Sequence, residues 1–206
     1  MISLFIDTSC ANVSISIIKD GKLLSNICED IPNEHSKYVT SYVRKAIDEA
    51  NIDANDIDKL FVVNGPGSFT GVRIGVTIAK TYGYLINKNV TPVSSLKSLA
   101  ISSNHCGTVM SVISANRNNY YVGIYDNEYN DLIEEKFIDV NGLVKLIEDY
   151  NPYIVSNDYN VISIYKFNKV KLDTLGIVEY YMNSDGVNYH KLVPNYLKLP
   201  QAMENK

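Results

Sequence analysis

Residues 58–87 set the terms for the whole chain. An apolar strand, Asp58–Asn64, runs directly into Gly65-Pro66-Gly67-Ser68-Phe69-Thr70-Gly71, and a helical pattern follows from near Val72 to about Asn87. Glycines, a proline and hydroxyls at a strand-to-helix turn aim backbone N–H groups and the positive end of the helix at one point. Such a turn is either an anion site or a tight structural connection, and glycines alone do not separate the two. Inside the helix Gly71, Gly75, Ala79 and Gly83 recur every fourth residue. A glycine in a helix interior costs about 1 kcal/mol relative to alanine. The stripe therefore points to close packing, either within the chain or with a partner.

The flanking patterns build a lobe around that turn. Residues 2–6 form an apolar run ending on Asp7-Thr8-Ser9, and residues 13–18 alternate apolar and polar as a half-buried strand does. Asp20-Gly21 is a hairpin turn leading into a third strand, Lys22–Cys28. From Ser36, a plausible N-cap, Tyr38, Val39, Tyr42, Val43, Ala46, Ile47 and Ala50 recur at helical spacing to about Asn51. Val90–Val93 reads as a strand and Ser95–Ser102 as a helix. The order β-β-β-α-β-α describes a ribonuclease-H-like lobe, expected over residues 1–103, with Asn104–Thr108 as the boundary. A similar order then restarts: strands at Val109–Ser114, Tyr120–Tyr125 and Leu132–Ile138, a helix at Asn141–Tyr150, a strand at Tyr153–Ser156 and a helix at Thr174–Asn183. Two lobes of like order suggest an internal duplication, with residues 104–206 as a shorter second lobe whose tail packs back on the first.

Charge and cysteine usage narrow the function classes. The net charge is −4, with 19 basic residues scattered among 23 acidic ones and no basic run. Affinity for phosphate backbones scales with the cations set against them, so the isolated chain is a poor ligand for nucleic acid. Cys10, Cys28 and Cys106 are odd in number and form no CxxC pair, which fits reduced thiols in the cytoplasm. MISLFIDTSC has no basic leader region, and no stretch reaches the 18 or so apolar residues of a membrane helix. The expectation is a cytoplasmic protein with no membrane partner.

The string Asn64-Gly65-Pro66-Gly67-Ser68-Phe69-Thr70-Gly71-Val72-Arg73-Ile74-Gly75 resembles the signature of the TsaB family, also called YeaZ. The resemblance extends to Asp7-Thr8-Ser9, Glu34-His35-Ser36, Val93-Ser94-Ser95-Leu96, Ile113-Ser114-Ala115-Asn116-Arg117 and Val193-Pro194-Asn195-Tyr196-Leu197. It spans nearly the whole chain, densely in the first lobe and thinly in the second. The family carries an acidic residue followed by Ala-Arg where this chain has Ser114-Ala115-Asn116, so a role resting on that acid does not transfer.

The resemblance implies an actin-like ATPase fold with two lobes, mixed sheets flanked by helices. It also implies a non-catalytic partner subunit of the bacterial complex that makes threonylcarbamoyladenosine beside the tRNA anticodon. The implied partners are a homologous catalytic TsaD-like subunit and a small TsaE-like ATPase, with tRNA met indirectly and a homodimer when the chain is alone. No cofactor is expected to bind tightly, with weak nucleotide binding at the complex junction. The partner face is expected on the first two helices, through Tyr38, Tyr42, Ala46, Arg73, Gly75, Ala79 and Tyr82.

The chemistry-bearing residues fit that expectation. In the family's catalytic subunit an HxxxH pair on the first helix holds a metal. Here His35 stands at the first place but Val39 at the second, and one imidazole cannot make that site. His105 and His190 lie far away in sequence, so no metal is expected. Asp7, Thr8 and Ser9, with Gly65, Gly67, Ser68, Thr70 and Gly71, are the candidate remnant of a phosphate loop. A carboxylate with two hydroxyls can coordinate Mg²⁺ through water; the plainer account is an Asx turn ending the strand. No second glycine-rich loop for adenosine is evident in the second lobe. Two other readings stay open at this point. An autonomous ATPase or small-metabolite kinase of the same fold would depend on Asp7, and a metalloprotease would need the missing histidine.

Overall fold

The structure is a computed structural model that describes residues 1–30, 35–115, 118–156 and 165–198, with the backbone alone for residues 35 and 36. Two compact units emerge. The first is Met1–Ser95 together with Thr174–Pro194, and the second is Leu96–Asp173 with the stretch from Asn195.

In the first unit, β1 (Ile2–Asp7), β2 (Asn12–Lys19) and β3 (Lys22–Asp30) form an antiparallel meander, and β4 (Lys59–Gly65) and β5 (Val90–Ser94) join β1 in parallel. The sheet order is β3-β2-β1-β4-β5. The hairpin turns at Asp20 and Gly21, both at positive φ, as the two-residue turn requires. Helices α1 (His35–Glu49) and α2 (Phe69–Leu85) cover one face. There Ile2, Leu4 and Ile6 of β1 pack with Val39, Val43 and Ala46 of α1 and Val72, Val76 and Ala79 of α2. Alternation turns Ser16 of β2 to the other face, where its hydroxyl lies 3.2 Å from Thr174, the first residue of α5 (Thr174–Tyr181).

The second unit repeats the plan. After α3 (Ser95–Ser102) come β6 (Val109–Ala115), β7 (Asn119–Tyr125), β8 (Asp131–Asp139), α4 (Val140–Tyr150), β9 (Tyr153–Ser156) and the two-residue β10 (Asn168–Lys169). Its sheet order is β10-β9-β6-β7-β8. Read outward from β6, it matches the first sheet read outward from β1: two antiparallel steps on one side, two parallel steps on the other. Met110, Val112, Val122 and Ile124 pack on Leu143 and Ile147 of α4, while Val109, Tyr125 and Val155 meet Leu96, Leu99 and Ala100 of α3. The duplication expected from the strand pattern is present as topology.

Three expectations change. The units part at Ser95/Leu96, not at Asn104–Thr108, because α3 packs on the second sheet. The segment Thr174–Pro194, expected in the second lobe, is counted with the first. Helix α2 starts three residues before Val72, because the Ser68 side chain accepts from the Gly71 amide and caps it. Glu34 and the side chains of His35 and Ser36 lie outside the described residues, as do Asn116 and Arg117.

Candidate functional site

The end of β1 and the turn before α2 close on each other. Asp7 is buried, and its carboxylate accepts the Ser9 amide at 2.8 Å, the Asx turn that stops the strand. The Thr8 hydroxyl, fully buried, donates to the Gly71 carbonyl at 2.7 Å. The Ser68 amide donates to the Ser9 carbonyl at 2.7 Å, and the Gly71 amide to the Ser68 hydroxyl at 3.2 Å. From the other side, the Ser95 hydroxyl donates to the Pro66 carbonyl. The Asn64 side-chain amide reaches the Val193 carbonyl at 3.1 Å.

The glycines are required by this contact. A Cβ on Gly67 would overlap the Ser9 carbonyl oxygen, one on Gly71 the Thr8 carbonyl oxygen, and one on Gly75 the Thr8 hydroxyl. The first turn of α2 thus lies directly on the Asp7-Thr8-Ser9 backbone. The amides of Ser9, Ser68 and Gly71 are already hydrogen-bonded within the chain, so the turn acts first as a structural joint. Asp7, Thr8, Ser9, Gly65, Gly67, Ser68, Thr70 and Gly71 are brought together as expected, with Ser68 and Thr70 exposed at the rim.

The seven residues expected to face a partner divide into two groups. Ala46 and Ala79 have no exposed surface and belong to the first unit's core, and Gly75 is buried on Thr8. These three cannot form a contact surface, because their side of each helix faces the chain's own sheet. Tyr38, Tyr42 and Tyr82 are half-buried and Arg73 is exposed. Tyr38 and Tyr42 stack with centroids 6.1 Å apart, and the Arg73 guanidinium lies 3.7 Å from the centre of the Phe69 ring. Burial pushes the Tyr82 phenol above its ordinary range, with Arg44 pulling it back slightly. Sequence reasoning left Phe69 and Thr77 out of that set, although spacings of four place them one turn on either side of Arg73; Ile74 and Ile78, half-buried, lie on the neighbouring row of the same helix.

Among the described residues no group of three or more His, Cys, Asp or Glu side chains could hold a metal ion. Val39, one turn after His35, is fully buried. His105 stacks on Tyr153 with centroids 4.1 Å apart. Among the same residues no helix is long and apolar enough to cross a membrane.

A family model described as TsaD: tRNA N6-adenosine threonylcarbamoyltransferase matches residues 27–174. The tRNA threonylcarbamoyladenosine biosynthesis protein TsaB of Bacillus subtilis (strain 168) is 27% identical over 226 residues, covering 98% of this chain and 96% of that protein. The tRNA N6-adenosine threonylcarbamoyltransferase of Staphylococcus haemolyticus is 33% identical over 106 residues, 44% of this chain and 31% of that enzyme. The chain thus spans about a third of the length of the transferases it matches. A crystal structure from Pseudomonas aeruginosa, described as similar to peptidase YEAZ, superposes with a TM-score of 0.83 at 22% identity, covering 96% of this chain and 99% of that one. A structure of YeaZ from the same organism gives 0.79 at 21% identity, covering 95% and 99%. At these identities the likeness establishes the fold, two mixed sheets flanked by helices.

Proposed function

The chain belongs to the tRNA N6-adenosine threonylcarbamoyltransferase (TsaD) family and, within it, to the TsaB (YeaZ) branch, and from that premise we propose that it is the non-catalytic subunit of a tRNA threonylcarbamoyladenosine synthesis complex. The observation that carries the reading is the pattern of coverage. The chain matches B. subtilis TsaB end to end, but the transferases over only about a third of their length.

Its own chemistry supports a supporting role. Val39 lies buried where a second metal-binding imidazole would stand, and the Asp7–Ser9 turn is hydrogen-bonded to the start of α2. The partner is a larger homologous transferase, met through the outward faces of α1 and α2. Tyr38, Tyr42, Arg73 and Tyr82 from the original set, with Phe69, Ile74, Thr77 and Ile78, form that face. Partly exposed aromatic, aliphatic and arginine side chains on adjacent helices suit helix-to-helix docking. A small ATPase subunit and weakly held nucleotide belong at the junction, tRNA is reached through the partner, and the complex works in the cytoplasm. Without its partner the chain pairs with itself.

Light scattering on a size-exclusion column tests this, with the chain alone and mixed with the transferase homologue of the same organism. A one-to-one complex is the expected result. Two species eluting independently, even with ATP present, would overturn the reading.

A further inference from the structure

The two ends of the first sheet are treated differently. At the β5 end the C-terminal segment Met182–Pro194 forms a strap. Val187 and Val90 exchange backbone hydrogen bonds of 2.9 and 2.8 Å, and the Asn89 side chain donates to the Asp185 carbonyl at 3.1 Å. At the other end stands β3, nine residues long and bonded on one side only, to β2. Among the described residues nothing else pairs with its backbone. Such a strand presents N–H and C=O groups outward in the plane of the sheet, ready for another strand.

Proteins guard open edges with short strands, prolines, bulges or charges set along the strand. Here the guard is slight. The ladder to β2 shifts between Ile17 and Ile18, which makes Leu24 the extra residue of a bulge, but Ser25–Asp30 then pair in unbroken register. From Leu23 to Cys28 there is neither a charge nor a proline, and Leu23 and Leu24 stand 43% and 40% exposed.

Charge appears only at the two ends of the strand. Lys22 begins it, Glu29 and Asp30 finish it, and none of the three makes an ion pair among the described residues. Neighbouring charges leave this polarity intact. At the Lys22 end, Asp20 is taken up by the N-terminal amine, and Lys19, opposite Lys22, adds a second cation. Near the middle, Glu49 accepts the Ser25 hydroxyl at 2.7 Å and is paired with Lys45 at 3.7 Å. The edge is therefore positive at one end and negative at the other.

We infer that β3 is the edge through which two copies of this chain pair, antiparallel, joining their five-stranded sheets into one. This rests on the self-pairing proposed above and gives it a surface. A two-fold contact must be complementary to itself. Antiparallel pairing brings the Lys22 end of each β3 to the Glu29–Asp30 end of the other, whereas parallel pairing would set like charges together. The last strand of the second sheet, β8, fails the same requirement. It carries Asp131, Glu134, Glu135 and Asp139 against Lys136 alone, so two copies would meet acid to acid. The free backbone of β3 points along the plane of the sheet, while α1 and α2 lie over one face, so self-pairing here leaves the outward faces of those helices to a partner.

The test is sedimentation equilibrium on the full chain at low salt, with Lys22→Glu and Glu29→Lys/Asp30→Lys beside wild type. All three side chains are exposed, so circular dichroism melts should be unchanged. Each variant sets like charges together and should weaken the dimer at least tenfold. An equimolar mixture of the two restores opposite charges at both ends and should recover it. In wild type, hydrogen exchange at the Ser25–Asp30 amides should slow as protein concentration rises. Variants that dimerise within twofold of wild type would overturn this edge and move self-pairing elsewhere. A wild type that stays monomeric at every concentration would overturn both the edge and the self-pairing. Protection of β3 that appears only when the transferase homologue is added would give the edge to that partner and overturn the inference. None of these outcomes decides whether the transferase is bound, which light scattering on the mixture reads separately.

Discussion

The Thr8 hydroxyl donates to the Gly71 carbonyl at 2.7 Å and occupies the space where a Cβ on Gly75 would stand. One residue at the end of β1 therefore accounts for two glycines of α2, Gly71 through its backbone carbonyl and Gly75 through its hydroxyl. The small-residue stripe is the imprint of this joint, continued by Ala79 in the core and by Gly83 under Tyr189.

Thr8→Val keeps the shape and removes the donor, and should lower stability by about 1 kcal/mol. Gly75→Ala should cost more, about 1–3 kcal/mol, because the new methyl overlaps the hydroxyl. In a Thr8→Ala/Gly75→Ala double variant the overlap is gone, so the loss should fall well short of the sum of the single losses. Additive losses in urea melts would show that the overlap is not the reason for Gly75.

Burial separates two positions on α2 that sequence spacing treats alike. Ala79 is fully buried, so Ala79→Arg should unfold the first unit and reveal nothing specific about association. Thr77 is exposed one turn from Arg73. Thr77→Arg should keep the wild-type melting profile and lose the complex with the transferase homologue on a size-exclusion column. Full complex formation by Thr77→Arg would move the partner face off this helix.

In the second unit, Asp126 closes the turn between β7 and β8. Its carboxylate accepts the amides of Glu128 and Asn130 and the Asn130 side chain at 2.8, 2.9 and 3.0 Å. These bonds, the Asn130 side chain foremost, hold its carboxyl below the ordinary value of 3.8. A depressed folded pKa contributes stability above the unfolded value and loses it as pH falls through the folded one. The turn should therefore loosen only in strong acid. A carboxyl-carbon NMR titration should place the Asp126 midpoint below 3.8, and a midpoint at or above that value would refute the turn geometry.

Most of the local structure was legible from the chain. The alternation of residues 13–18 marked a strand, Asp20-Gly21 its hairpin, and the spacing from Tyr38 to Ala50 the first helix; the expected half-burial did not hold, since Ser14 and Ser16 are buried along with their apolar neighbours. The restart at Val109 disclosed the repeated plan, because the same order of patterns folds by the same pairing rules. The two-residue β10 left no trace, since two residues carry no period. The start of α2 was misplaced because Phe69-Thr70-Gly71 reads as loop until Ser68 is seen to cap it.

What the sequence determined by itself was periodicity, turn chemistry and the family signature, all encoded in residues near one another along the chain. It could not decide which side of a two-sided helix faces inward. Ala46, Gly75 and Ala79 looked like contact residues because small side chains invite a neighbour, and only the tertiary structure identified that neighbour as the chain's own β1 and core. The strap lay further out of reach. Lys80 holds the carbonyl of His190 across 110 positions, and Val90 pairs with Val187. Backbone carbonyls carry no residue-specific signature, so nothing local in either segment records that they meet. Packing the sheet edge decided it, and with it the edge-on contact of Tyr84 with Tyr189.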